Sequence, residues 1–404
     1  MRIVDGSITD VSGFKACGVH AGFRKNPERL DFAVIKTEKV CPVAGVFTQS
    51  KFCAPCVTLM RERLKSGFGY AQALIVNSGI ANAATGDEGM KKAIQSTEIA
   101  SSKLGVSVKD VLVASTGVIG VQLPIEPFEV GLEMARFELS DSGGVDAAKA
   151  IMTTDTIHKH ASITFEGADE FSGKKFVIGG ITKGSGMIMP NMATMIAILT
   201  TDFPSSPEFL HECLLEAVNC SFNKITVDSD TSTNDSCFLF SSNEADKLPS
   251  LENINLFKTA LNELCIHLAR VMAKDGEGAT KLVTVNINGA GSMNDADECA
   301  RSVANSPLVK TAIAGHDANW GRIAAALGKT NANFSQDKVS IDIMGIPVCR
   351  HGLSLDFDED LALSKFEEDE IIIDIDLGAG EFSTSIWTCD FTHDYISING
   401  DYRS

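Results

Sequence analysis

A chain of 404 residues that is 44% hydrophobic and 22% charged has ordinary globular composition, with enough apolar material for a large layered core or for two to three domains; this excludes a disordered or fibrous protein. Its formal net charge of -18 repels phosphate backbones and anionic membrane surfaces, which leaves small molecules as the expected ligands. The N-terminal MRIVDGSITDVSGFKACGV lacks an apolar run behind Arg2, and no window approaches the ~18 apolar residues of a membrane span, so a cytoplasmic protein is expected.

Taken in chain order, ALIVNSG (73 to 79) reads as a strand. TGDEGMKKAIQSTEIASSKLG (85 to 105) reads as a helix that Thr85 and Glu88 open as a capping box. DVLVAST (110 to 116) is another strand, ending at Thr116-Gly117. MIAILTTD (195 to 202) is a buried strand by its length and β-branched content, and Ser205, Pro207 and Glu208 are read as the start of the helix after it. A long amphipathic helix covers 250 to 276, with Gly276 to end it. KLVTVNING, KVSIDIMG and EIIIDIDLG then read as strands around a helical ADECARSVANS. The pattern is mixed α/β.

The familiar catalytic signatures fail one by one. Cys53-Ala-Pro-Cys56 has redox spacing but no second pair to complete a zinc site, and the eleven cysteines, odd in number and scattered, read as reduced and mostly buried. His158-x-His160 has no carboxylate or third imidazole at a ligand-like spacing and reads as two surface histidines. GRIAAALGKT (321 to 330) lacks the glycine of a phosphate loop, which Ile323 replaces. DSDTSTND (228 to 235) begins like a calcium loop, but Asn234 and Leu239 stand where glycine and glutamate are required, so a polar turn is expected. No metal site is predicted.

KGSGMIMPNMATM (183 to 195) carries a different chemistry. A threonine hydroxyl needs a base, and scission before Thr194 would supply one as its own freed α-amine, with a reference pKa of about 7.7 to 8.0. Glycines at 184 and 186 with Pro190 permit a tight turn, and Ala193 leaves its carbonyl open to the Thr194 hydroxyl. Read from this stretch alone, a plain turn followed by a strand threonine is the favoured explanation.

The same stretch, with LTTD after it, resembles the self-cleavage segment of the ornithine acetyltransferase (ArgJ, glutamate N-acetyltransferase) family. Further motifs match that family in order: VNSGIANAATG (76 to 86), STGVIG (115 to 120), IMTTDT (151 to 156), VDSDTSTND (227 to 235), KDGEGATK (274 to 281), GHDANWGR (315 to 322) and YISINGDYRS (395 to 404). The resemblance implies a layered αββα core with a smaller C-terminal α/β domain from about residue 285, of the self-cleaving N-terminal-nucleophile type. It implies cleavage between Ala193 and Thr194 into an alpha segment (1 to 193) and a beta segment (194 to 404) that stay associated, as a dimer of heterodimers.

It also implies ping-pong acetyl transfer from N-acetylornithine to glutamate through Thr194, in arginine biosynthesis, with no cofactor and with acetyl-CoA as a second acetyl donor in bifunctional members. Thr116 and Gly117 match the family's oxyanion hole; Thr153 (Thr154 if the alignment slips by one), Lys183, Glu277, Asn399 and Ser404 match its substrate contacts. His316, Asp317, Asn319, Trp320 and Arg322, like Asp228 and Asp230, read as scaffold. Departures are Ile80 where the family tends to asparagine and Ser229 where glycine is expected. Two other readings stand beside this one: a self-processing hydrolase or aminopeptidase with water or a peptide as acceptor, and an uncleaved binding protein.

Overall fold

The structure, a computed structural model, describes residues 1–189, 195–245 and 247–401. The chain falls into two compact units, Met1–Asn223 with Thr231–Met272, and Lys224–Asp230 with the chain from Ala273 onward.

In the first unit, the apolar runs become β1 (Arg2–Val4), β2 (Phe14–Val19), β3 (Phe32–Phe47), β4 (Phe68–Ile80), β5 (Val111–Val118), β6 (Lys159–Glu166), β7 (Lys175–Lys183), β8 (Ile196–Thr201) and β9 (Ser236–Ser241). Among the described residues they form one nine-stranded sheet in the order β1-β6-β7-β8-β9-β3-β4-β5, with β2 added on β3. β8 pairs with β9, and β4 with β5, in parallel; the other neighbours are antiparallel. All six residues of β8 are buried, which is why its sequence is a continuous apolar run instead of an alternating one. On one face, Gly180 in β7 leaves room for Leu264 and Leu268 of the helix Leu251–Lys274: a Cβ there would lie 2.7 Å from Leu268.

The second unit contains β10 (Leu282–Ala290), β11 (Ser340–Ile343), β12 (Ile346–Arg350), β13 (Leu353–Ser354), β14 (Glu370–Asp376) and β15 (Phe382–Cys389), ordered β13-β12-β11-β14-β10-β15. Alternation is clean in β14, where Ile371, Ile373 and Ile375 point into a core shared with Val303 and Ala300 of the helix Met293–Ala304 while Ile372 is exposed. The mixed α/β class follows from these two sheets and their helices.

Two expected helix starts differ in detail. The helix Gly86–Leu104 does begin after Thr85, but the Thr85 hydroxyl donates to Asn82 Oδ1 at 2.8 Å and caps no helix N–H, while Glu88 turns outward to Lys91 and Lys92. No capping box forms, because the polar loop ahead of the helix offers the hydroxyl a buried acceptor. The helix Pro207–Cys220 is capped by Ser206, whose hydroxyl accepts from the Phe209 N–H, one residue after the serine the sequence suggested. Ser205 instead donates to Phe203 O.

All eleven cysteines are free and nine are buried, Cys53 and Cys220 being partly exposed. Burial pushes the Cys56 thiol up to about 11 and those of Cys17, Cys41 and Cys213 up to about 12, so they are packing residues and not nucleophiles. Among the described residues no cluster of three or more side chains is arranged to hold a metal ion, and no helix is long and apolar enough to cross a membrane.

Candidate active site

The site is built at the end of the parallel β4–β5 pair, where Ser78 lies opposite Thr116 and Gly79 opposite Gly117. Gly117 has φ of +130°, and a Cβ on it would lie 2.2 Å from the carbonyl carbon of Gly79 and 2.5 Å from the oxygen. Only glycine fits both the dihedral and the approach. Immediately before it, the Asn234 side-chain amide donates to Ser115 O at 2.8 Å and to Ala81 O at 2.7 Å, fixing the β5 terminus to the loop that leaves β4.

Thr116 is buried, and its Oγ1 accepts a hydrogen bond from Lys183 Nζ at 3.4 Å. Lys183 closes β7 and is only 3% exposed. Burial lowers its affinity for the proton and the nearby Asp155 carboxylate partly restores it, while Lys159 and Arg24 oppose the charge.

Asp155 is the hub beneath this lysine. Its Oδ2 accepts from the Thr153 N–H at 2.8 Å, and its Oδ1 accepts from Lys159 Nζ at 2.7 Å and from the Gly184 N–H at 2.7 Å. Burial works against its ionisation, but Lys159 and Lys183 outweigh it and hold the carboxyl well below the usual carboxylate range. The Thr153 carbonyl accepts from Arg29 at 2.9 Å, so the backbone of this segment is held from both sides.

At the head of β8, the buried Asp235 accepts the Met195 N–H on Oδ1, while its Oδ2 has no hydrogen-bond partner among the described residues. Burial pushes this carboxyl well above its ordinary value. Asp235 therefore grips the backbone one residue after position 194.

A family model described as the ArgJ family matches residues 15–404. The chain belongs to the ArgJ family. It is 44% identical to the arginine biosynthesis bifunctional protein ArgJ of Caldanaerobacter subterraneus subsp. tengcongensis over 100% of both chains, and 42% identical to the protein of the same name from Symbiobacterium thermophilum, again over 100% of both. Among solved structures, the arginine biosynthesis bifunctional protein argJ of Bacillus halodurans is similar at 37% identity and a TM-score of 0.49, covering 51% of this chain and 98% of that one.

The motifs that mark this ArgJ-family chain are brought together in two groups. Thr116, Gly117, Thr153 and Lys183 converge in the first unit, as described. In the second unit, Glu277 is buried and its Oε2 accepts from Asn399 Nδ2 at 2.8 Å, on the helix His393–Asp401. Ala193, Thr194 and Ser404 lie outside the described residues. Asn319 caps the helix Trp320–Gly328 and Arg322 donates to Leu308 O at 2.7 Å, contacts that fit a scaffold role for the GHDANWGR motif. Ser229 has φ of +65°, which accounts for an expectation of glycine there.

Asp155, Lys159, Asn234 and Asp235 escaped the sequence reading. Three of them stand inside the matching motifs IMTTDT and VDSDTSTND, next to residues that were singled out; that adjacency was the available signal.

Proposed function

We propose that this chain moves an acetyl group from N-acetylornithine to glutamate through an acetyl-Thr194 ester, after cutting its own backbone between Ala193 and Thr194. The observation that carries this reading is the meeting of Lys183 Nζ with Thr116 Oγ1 at 3.4 Å beside a glycine whose backbone tolerates no side chain. That is a fixed, water-poor set of donors of the kind an acyl-transfer oxyanion requires. Family membership and the full-length relatives named for arginine biosynthesis support the same chemistry.

In the first half-reaction the α-amine of Thr194 takes the hydroxyl proton as the oxygen attacks the acetyl carbonyl. The negative charge that forms on the carbonyl oxygen is met by the Gly117 N–H and the Thr116 hydroxyl. Collapse of the tetrahedral intermediate expels the ornithine amine, which takes the proton back from the Thr194 amine. Glutamate then attacks the ester in the same manner and leaves as N-acetylglutamate.

Lys183 is by its chemistry suited to a carboxylate, and Glu277 to an ammonium group, each as a proposed substrate contact of its own unit. Thr153 and Ser404 complete the proposed contacts, and no cofactor is required. Acetyl-CoA serves as second donor if the enzyme is bifunctional like its relatives in name. The cleaved halves assemble as a dimer of heterodimers in the cytoplasm.

The test is acetyl release from N-acetylornithine with and without glutamate, and formation of N-acetylglutamate from acetyl-CoA. Release that requires glutamate supports transfer; equal release without an acceptor identifies a hydrolase instead.

A further inference from the structure

One buried carboxylate joins the two backbone segments that carry Thr153 and Lys183. Oδ2 of Asp155 takes the N–H of Thr153 itself, and Oδ1 takes the N–H of Gly184, the residue that follows Lys183. These segments are distant in sequence and meet at this side chain. The third partner, Lys159, donates to Oδ1 and is only 1% exposed, so the carboxylate receives donors from three parts of the chain. An uncharged amide in the same place accepts on one side only, and its NH₂ would face a backbone N–H on the other.

We infer that Asp155 is a positioning residue of the acetyl-transfer site: it sets the spacing of Thr153 from Lys183 and places a carboxylate beside the segment that carries Lys183. The inference rests on the acetyl-transfer reading above. The charged groups facing Lys183 are Asp155, Lys159, Asp235 and Arg24, and of these Asp155 is the carboxylate acting most strongly to favour its charge. With Asp155 neutral, the buried Lys159 ammonium and the Arg24 guanidinium remain near Lys183, and each disfavours its proton. An ion pair that served only to fill the core would have no reason to tie together the two strand and loop ends from which proposed substrate contacts arise.

The two roles separate in a pH profile of kcat/KM for N-acetylornithine, since substrate titration is common to every variant and cancels in the comparison. Asp155→Asn is expected to lower kcat/KM by about 100-fold, the scale of a misplaced substrate contact, and to move the alkaline limb down by about one pH unit or more. Lys159→Met removes the cation that competes for Asp155 and should move the same limb upward. Asp155→Glu, which keeps the charge, should restore the limb while leaving part of the kcat/KM loss. These last two variants carry the test if Asp155→Asn does not accumulate as folded protein.

An unmoved alkaline limb in both the Asp155→Asn and Lys159→Met enzymes, or in Lys159→Met alone where Asp155→Asn cannot be obtained, overturns the inference, whatever their thermal stability. Wild-type enzyme assayed alongside separates the failures: an inactive wild type sinks the acetyl-transfer reading, whereas an active wild type with unmoved variants sinks this one.

Discussion

Replacing Gly117 with alanine adds one methyl group where the backbone has no space for it. The new Cβ would sit 2.2 Å, 2.5 Å and 2.6 Å from the carbonyl carbon, oxygen and Cα of Gly79, all backbone atoms of the adjoining strand, so β4 and β5 must part at their shared end. The φ of +130° adds conformational strain of about 1–3 kcal/mol for any non-glycine residue. With the Gly117 N–H as the proposed oxyanion donor, its displacement is expected to cost on the order of 10²–10³ in kcat, or about 3–4 kcal/mol of transition-state stabilisation. Gly120→Ala is the control: its φ of +82° imposes strain too, but a Cβ there meets no atom within 4 Å. Steady-state kinetics and thermal melts of both variants form the assay. Gly117→Ala is predicted to lose kcat far beyond what its melting temperature explains, with Gly120→Ala retaining most activity. Equal activity in the two variants refutes the argument that this close approach builds the donor.

Asn234→Ala leaves the buried carbonyls of Ala81 and Ser115 without the donor they share, and a destabilisation of about 2–4 kcal/mol in denaturant titrations is expected. Asp155→Asn breaks a buried ion pair, with an expected loss of about 3–5 kcal/mol at neutral pH. Because the folded-state pKa of Asp155 is depressed, its contribution is complete above the unfolded value of about 4 and is withdrawn as pH falls toward the folded one. The wild-type advantage over this variant should therefore shrink between pH 5 and 2, in guanidinium titrations at each pH. Ser229→Gly removes a left-handed serine and should leave stability unchanged or raise it by up to about 1 kcal/mol in thermal melts. Alkylation of the native protein at pH 8 followed by peptide mapping should modify Cys53 and Cys220 well before the nine buried thiols.

What the sequence revealed and what it hid follow from the range of the interactions involved. β8 and β14 were legible because burial on two faces or on one writes itself into consecutive residues, as a continuous run in one case and as alternation in the other. Thr116, Gly117, Lys183 and Glu277 were reached through motif resemblance, since nothing in a lone threonine or lysine declares its neighbours. Asp155 and Asn234 were hidden for a physical reason: beside its local partners Thr153 and Lys159, Asp155 meets Gly184 29 residues away, and Asn234 meets Ser115 119 residues away, contacts that only the closed sheet brings within reach. The capping box at Thr85 failed at short range instead, where a buried Asn82 outcompeted the helix N–H groups for the hydroxyl.

The fate of the Ala193–Thr194 peptide bond decides whether this chain works through a self-generated N-terminal threonine. Intact mass spectrometry of the purified protein, alone and after brief mixing with N-acetylornithine, reads it in one measurement. Two fragments dividing after residue 193, with a single acetyl group gained by the one that begins at Thr194, are the predicted result. One uncut mass with no acetyl gain, or an acetyl group mapped to a different residue, contradicts it.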